Sequence, residues 1–429
     1  MEQRFRVALA GAIGNLLEWY DFGLYGLLAP VLASLFFPSH SRTASLLGVY
    51  GGFASGFLMR PIGAVVLGHL GDRVGRRFVL LVSVTLMGLA TIAVGILPTY
   101  RTLGIWAPSL LIIVRLFQGF SVGGEFVDSV TYLVESAPQS RRGIAGSVAN
   151  LGSTAGMLLA AAVAAIITTW AGSERVLEWG WRIPFLLGGI IASIAFYSRR
   201  HLPEINTYTE RTETTRVSPL GRAIREQPRI LWATLLFTSG YGIVDYVTMV
   251  FLPTYAHEFG RVAEQQALRI NAMGQVLALS VVPFSGWISD RLLTRRTLLV
   301  WAFVAEAAIS WQAFKLVSRN GVEGLWLAQL TFAFLLAIVM GAAPAMLAEQ
   351  FHPEYRVSAH AVTFNIGIGV AGGTAPMIAT ALIKVLSNPL APAGYLLLAA
   401  ALSTVSAFML HDRSREPLAK LESSTMNGA

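Results

Sequence analysis

The chain has 429 residues, 54% of them hydrophobic and only 13% charged, about half the charged share of an ordinary soluble domain. That balance excludes intrinsic disorder and argues against a soluble enzyme, and the absence of cysteine excludes a disulfide framework or thiolate metal site. The formal net charge of +8 does not point to nucleic acid, because the basic residues sit between apolar runs and not on one soluble face.

Crossing the hydrocarbon core of a bilayer takes about 20 mostly apolar residues. In chain order, the stretches 8–37, 44–71, 78–100, 104–134, 143–173, 183–198, 230–257, 270–289, 297–314, 324–348, 357–383 and 385–410 reach or approach that length. They predict an all-α integral membrane protein with twelve transmembrane helices. The first stretch is too long for a signal-peptide core and shows no small-residue cleavage site, so it reads as a retained helix. With the termini placed inside, 21 of the 32 Lys and Arg fall on cytoplasmic segments and nine on external loops. The positive-inside bias therefore predicts both termini in the cytoplasm, with the surplus charge facing anionic lipid.

The Arg-, Glu- and Thr-rich stretch 199–229 falls at the midpoint. It divides the chain into a six-helix half at 1–198, a cytoplasmic linker at 199–229, a second six-helix half at 230–411 and a tail at 412–429. The halves echo each other. Gly68-His69-Leu70-Gly71-Asp72-Arg73-Val74-Gly75-Arg76-Arg77 follows the second stretch, and Gly286-Trp287-Ile288-Ser289-Asp290-Arg291, ending in Arg295-Arg296, follows the eighth. Glu135 has Arg142 seven residues on, and Glu349 has Arg356 seven residues on. Repeated halves with a site between them are the architecture of alternating-access carriers.

At this point the residues resemble a family. The motif at 68–77 is similar to the signature loop of the major facilitator superfamily, and Arg115-x-x-Gln118-Gly119 resembles its fourth-helix motif. More narrowly, Gly14-Asn15-Leu16-Leu17-Glu18-Trp19-Tyr20-Asp21-Phe22, Arg60-Pro61-Ile62-Gly63, the run Gln118 to Glu125, and Trp179-Gly180-Trp181-Arg182-Ile183-Pro184-Phe185 resemble the metabolite:proton symporters. That subfamily carries α-ketoglutarate, citrate, shikimate, and proline or betaine. The resemblance implies that the first, fourth, seventh and tenth helices line the cavity. It also implies that a charge cluster closes the cytoplasmic gate. The chain departs from the pattern at Leu293, where the second loop lacks its last Gly, and at Asp128, where a small or neutral residue is usual. The tail after His411 has no heptads, so a coiled-coil extension is not expected.

A charge at the bilayer centre costs about 2.5–3.5 kcal/mol on insertion scales, so each needs a reason. Glu18, Asp21 and Tyr25 are spaced i, i+3, i+7 and share one helix face; at about 1.5 Å per residue Glu18 lies roughly 15 Å deep. Glu18, Asp21 and Asp128 are therefore proton-coupling candidates. Arg115, with its carboxylate-matching fork, is a candidate for substrate binding, as are Tyr25, Gln118, Asp245, Tyr246 and Arg60. In the empty protein Arg115 is expected to pair with Glu18 or Asp21. Arg60, before Pro61, also reads as a cap for freed carbonyls or a partner for an acid. Asp72, Arg73, Arg76, Arg77, Glu125, Glu135, Asp290, Arg291 and Glu349 are gate candidates, with Asp72 also a cap for the eleventh helix. Glu306, on a peripheral helix by resemblance, reads as snorkelled or interhelical. The glycine pairs 52/56, 119/123, 152/156 and 369/373 read as close helix contacts.

No metal cluster, phosphate-binding motif or catalytic triad is visible, so neither an enzyme nor a cofactor is expected. The chain reads as a monomeric, multi-pass carrier of the bacterial inner membrane. It imports a small carboxylate-bearing metabolite or zwitterionic osmolyte with protons. A proton-driven exporter of amphipathic compounds and a polytopic receptor without net transport are the alternatives. The duplicated loops argue against the receptor, and the subfamily motifs argue against the exporter.

Overall fold

The computed structural model describes residues 2–74, 76–122, 125–200 and 219–418, apart from the side chains of residues 2–12, 68, 69, 71–73, 76, 77, 125 and 173. All regular structure among the described residues is helical. Ten elements are long and apolar enough to span a bilayer, and a bent pair, Ile13–Leu27 with Ala29–Phe36 at 65°, makes an eleventh. The twelfth is hidden in the 54-residue element Arg295–Ala348. Gly321 breaks it with φ 56° and ψ −119°, a left-handed conformation that glycine adopts without a Cβ penalty. A Cβ on Gly324 would collide with the Leu316 carbonyl, so the chain doubles back there into a ninth and a tenth span.

In order, the spans are the bent first; Arg42–Val74; Arg76–Ile96; Trp106–Ser121 continued by Glu125–Ser136; Arg142–Arg175; Val176–Gly180 with Arg182–Arg200; Pro228–Phe259; Glu264–Arg291; 295–320; 322–348; Arg356–Leu386; and Ala391–Met409. The seventh and eleventh each widen to π-helical geometry, at Val247–Phe251 and Asn365–Gly372. Such widened turns occur often at functional sites. Here the first follows Asp245 and Tyr246 directly.

Lipid tails give helices no hydrophobic drive to associate, so close packing carries the bundle. The fifth span lies against the first and the eighth, the second against the fourth and the eleventh, and the seventh against the eleventh and twelfth. Small residues make the crossings. A Cβ on Gly119 would run into the Gly56 carbonyl of the second span. Gly143 of the fifth span meets Gly286 of the eighth, and Gly156 meets the Leu16 and Tyr20 backbone of the first. Eight of the ten tryptophans are exposed, Trp170 and Trp301 to 69%. Rings in that position suit a lipid-facing belt.

The Gly56–Gly119 crossing gives a direct test. Gly119→Val is expected to push the second and fourth spans apart and lower the melting temperature of detergent-purified protein by several degrees or more, because overpacking costs about 1–3 kcal/mol. Gly51, whose Cβ would meet nothing within 4 Å, should accept Ala with no change.

Candidate functional site

Two buried arginines organise the first half. Arg115 is fully buried, and its Nη1 donates to Asp21 Oδ2 at 2.9 Å and Gln118 Oε1 at 2.7 Å. Asp21 accepts two further bonds on Oδ1, from Thr91 Oγ1 at 2.8 Å and Gln118 Nε2 at 2.7 Å. The guanidinium lies over the rings of Tyr25 at 4.4 Å and Phe22 at 4.7 Å, a cation–π setting strengthened by desolvation. Tyr25 donates its hydroxyl to the Val49 carbonyl at 3.1 Å. On the other side of Phe22, Arg60 donates to Glu18 Oε1 at 2.7 Å and lies 5.5 Å from the Phe57 ring. The i, i+3 acids of the first helix therefore each hold a different arginine. The alternative cap of freed carbonyls is not the role Arg60 takes, since its guanidinium reaches the Glu18 carboxylate.

The cavity lies elsewhere, between the two halves. Trp19, Phe126, Asn150 and Ser153 line it from the first, fourth and fifth spans. Tyr241, Asp245, Met340, His360 and Phe364 close it from the seventh, tenth and eleventh. Neither Arg115 nor Arg60 reaches it; the Phe22 and Phe57 rings stand with them behind Tyr246, which stacks on Trp19 at 6.3 Å and meets Phe57 at 5.3 Å. Of the six residues read as substrate-binding, only Asp245 lines the cavity. Tyr246 backs it, and Tyr25, Gln118, Arg115 and Arg60 form the ion-pair layer. The Nε1 of Trp19 and the Nδ1 of His360 find no hydrogen-bond partner among the described residues. Sequence reasoning missed Trp19, Tyr241, Asn150, Ser153 and His360, although Trp19 and Tyr241 fall on the expected lining helices. Asp128 is exposed, whereas Glu18 and Asp21 are buried.

A second ion-pair system closes the face that carries the termini. Glu349, from the end of the tenth span, pairs with Arg142 at 2.9 Å and with Arg295. Arg295 also holds Asp290 at 3.1 Å. Asp290 accepts the backbone N–H groups of Gly143 at 2.7 Å and Ile144 at 3.0 Å, so the second half caps the fifth span of the first, where a carboxylate is favoured. Glu135 pairs with Arg356 across the same seam. Among the gate candidates, Glu135, Asp290 and Glu349 meet here. Arg291 does not: it is exposed, and the helix turns Arg295 inward in its place. The side chains of Asp72, Arg73, Arg76, Arg77 and Glu125 lie outside the described residues. Arg142 and Arg356, absent from the gate expectation, were marked by their repeated spacing from Glu135 and Glu349.

The segment after the last span ties this seam together. Arg142 donates to the carbonyls of Arg413, Ser414 and Glu416, and Gln139 to that of Arg415. From the second half, Gln350 exchanges bonds with His411 at 2.7 and 3.0 Å, and the Arg296 N–H donates to Asp412 at 2.8 Å. Burial pushes the Asp412 carboxyl up, but bonds from Ser414 and the Arg296 N–H outweigh it and hold the group below its ordinary value. Its contribution is therefore complete above the ordinary carboxylate range and is lost only as pH falls through the lowered value. The opposite face is closed more sparsely, by Arg42 to Glu258 at 2.8 Å and Tyr50 to Thr254 at 3.1 Å.

The cysteine-free sequence makes the seam measurable. Ser147 is fully buried beneath it. In a Ser147→Cys protein, adding Glu349→Gln should raise the maleimide labelling rate at least tenfold, because leaving buried cations unpaired costs about 3–5 kcal/mol. Equal labelling rates would remove Glu349 from the closure.

The sequence profile of the Major Facilitator Superfamily matches residues 11–362. The proline/betaine transporter of Salmonella typhimurium is 32% identical over 421 residues, covering 95% of this chain and 84% of its own. The glycine betaine/proline/ectoine/pipecolic acid transporter of Dickeya dadantii is 32% identical over 428 residues, covering 97% and 85%. Among solved structures, a D-xylose–proton symporter superposes with a TM-score of 0.74 at 18% identity over 97% of this chain and 98% of its own. A partially occluded inward-open xylose transporter from Escherichia coli gives 0.73 at 18% identity over 95% and 97%. These two likenesses concern the fold alone.

Proposed function

The chain belongs to the major facilitator superfamily, and we propose that it is a proton-coupled symporter importing a small zwitterionic osmolyte of the betaine or proline class. The observation that carries the substrate class is the cavity itself. Trp19, Phe126, Tyr241 and Phe364 line the space together with one carboxyl group, Asp245, and among the described residues no Lys or Arg lines it. Aromatic cages with a nearby anion suit quaternary or secondary ammonium groups. A di- or tricarboxylate would meet Asp245 with no cation to offset it. The substrate's own carboxylate has the unpartnered Trp19 Nε1–H within the same lining. The names of the relatives agree with this class.

Asp21 and Glu18 are the proton-coupling acids in this reading. Each carboxylate locks an arginine to another span, Asp21 to the fourth and Glu18 to the second. Protonating either would release its cation and loosen the first span, which also supplies Trp19 to the cavity. Alternating access then exchanges the ion-paired seam on the termini face for the Arg42–Glu258 closure opposite. The linker 199–229 joins the two moving halves. The chain lies in a bacterial inner membrane with both termini cytoplasmic.

The test is uptake by purified protein in liposomes with the acid side outside. Labelled glycine betaine or proline should accumulate, and a protonophore should abolish the accumulation. Asp245→Asn is expected to weaken betaine binding about tenfold or more, the scale of a lost charge-assisted contact. Asp21→Asn should retain exchange of internal for external substrate but lose accumulation. Citrate uptake without betaine uptake would overturn the substrate class. Dye efflux alone would favour an exporter, and no flux of any kind a receptor.

A further inference from the structure

The second half carries a buried acid that the sequence reading set aside and the coupling scheme does not use. Glu306, on the ninth span, is 0% exposed, so it is not snorkelled to an interface. Neither of its carboxyl oxygens has a hydrogen-bond partner among the described residues. One turn before Glu306, Phe303 packs on Phe237 of the seventh span at 5.6 Å, which sets Glu306 beside the stretch that carries Tyr241 and Asp245, the groups whose charge it feels or affects. Tyr241 and Asp245 are one turn apart on the seventh span and both line the cavity. No Lys, Arg or His from the surrounding spans acts on Glu306 among the described residues. This differs from the first half, where Glu18 and Asp21 each hold an arginine.

We propose that Glu306 is a proton-binding site of the second half, and that its proton is the condition for substrate to bind at Asp245. The argument is one of charge balance and rests on the symporter reading above. Two carboxylates in electrostatic contact inside a bundle, with no cation near, cannot both be ionised. While the site is closed to water, the pair carries one negative charge at most. A substrate ammonium group at Asp245 requires that charge on Asp245, so Glu306 holds its proton while substrate is bound. The loaded site is then neutral overall: one ammonium, one carboxylate, one carboxylic acid. The proton crosses with the substrate. After the ammonium has left, the cavity stands open to water, which can solvate a second charge, and Asp245 takes the proton from Glu306 and passes it to that water.

Two measurements test this. Infrared titration of the purified protein in lipid, from about pH 5 to pH 9, needs no substrate. A protonated-carboxyl C=O band should be present at neutral pH, persist in Asp245→Asn, shift in Glu306→Asp and vanish in Glu306→Gln. Identical spectra for wild type and the Glu306 variants would overturn the proposal. The Glu306→Asp arm decides the matter if Glu306→Gln does not fold. The second measurement is glycine betaine affinity against pH. Above the pH at which the infrared band fades, wild-type affinity should fall about tenfold per pH unit, as one linked proton requires. Glu306→Gln, permanently neutral, should bind with less than a twofold change across the same range. An unchanged wild-type slope in Glu306→Gln would overturn the linkage. A wild type that binds no betaine at all would instead overturn the substrate reading, and the infrared titration would still decide whether Glu306 holds the proton.

Discussion

A charge inside a bilayer has to be met by another charge, and this constraint organises the molecule. Arg60, Arg115, Arg142, Arg295 and Arg356 are all nearly or fully buried, and each is held by a carboxylate. Three of these pairs join spans far apart in sequence: first to fourth, fifth to tenth, eleventh to fourth. Losing one partner of such a pair costs more than the pair contributes, because the survivor is left uncompensated in a medium that cannot solvate it. The pairs therefore act as addresses, specifying which helix stands beside which. Small residues then allow the backbones to close, as at Gly56–Gly119 and Gly143–Gly286.

The same rule separates the two halves by function. In the first half the interior acids and arginines match one to one, and the rings of Phe22, Phe53 and Phe57 seal them from the cavity. In the second half the interior acids, Asp245 and Glu306, have no arginine among the described residues. A matched pair opens only when a proton or another charge replaces one member. An unmatched acid has to be met by a proton or by a cation that arrives. The matched pairs of the first half and the unmatched acids of the second meet at the cavity, which carries Trp19 from the first and Asp245 from the second.

Much of this was legible in the sequence, because membrane charges are few and each demands an explanation. The twelve spans followed from apolar run length, and the repeated Glu-to-Arg spacing marked the seam on the termini face. What was not legible depends on helix phase and on neighbours distant in sequence. Arg291 and Arg295 are one turn apart, and the end of the eighth helix decides which one points inward. Arg115 and Arg60 lie at the expected depth, yet the packing of Phe22 and Phe57 places them behind the cavity wall. Of the two readings of Glu306, its full burial removes the snorkelled one and leaves the interhelical one: one face of a peripheral helix still looks inward. The bend after Leu27 and the π-helical turns in the seventh and eleventh spans have no clear local signal.

The two closures differ in kind, and that difference bears on how the halves exchange. The termini face is held by Arg142, Arg295, Arg356, Asp290, Glu135 and Glu349, with the strap from His411 to Glu416 bonded to both halves. The opposite face has a partly exposed ion pair, Arg42–Glu258, and otherwise rings and small residues such as Tyr50, Phe251 and Gly26. Exposed ion pairs contribute little, about 0–1 kcal/mol, whereas a buried network is costly to break one member at a time. Opening the termini face therefore has to be concerted: Arg295 holds Glu349 and Asp290 together on the second half, so the contacts of Glu349 with Arg142 and of Asp290 with the Gly143 and Ile144 N–H groups part as one, and Arg142 cannot move without dragging the strap. A gate of that construction has few partly open states. For a carrier this matters more than raw stability, since a seam that leaked one contact at a time would let protons pass without substrate.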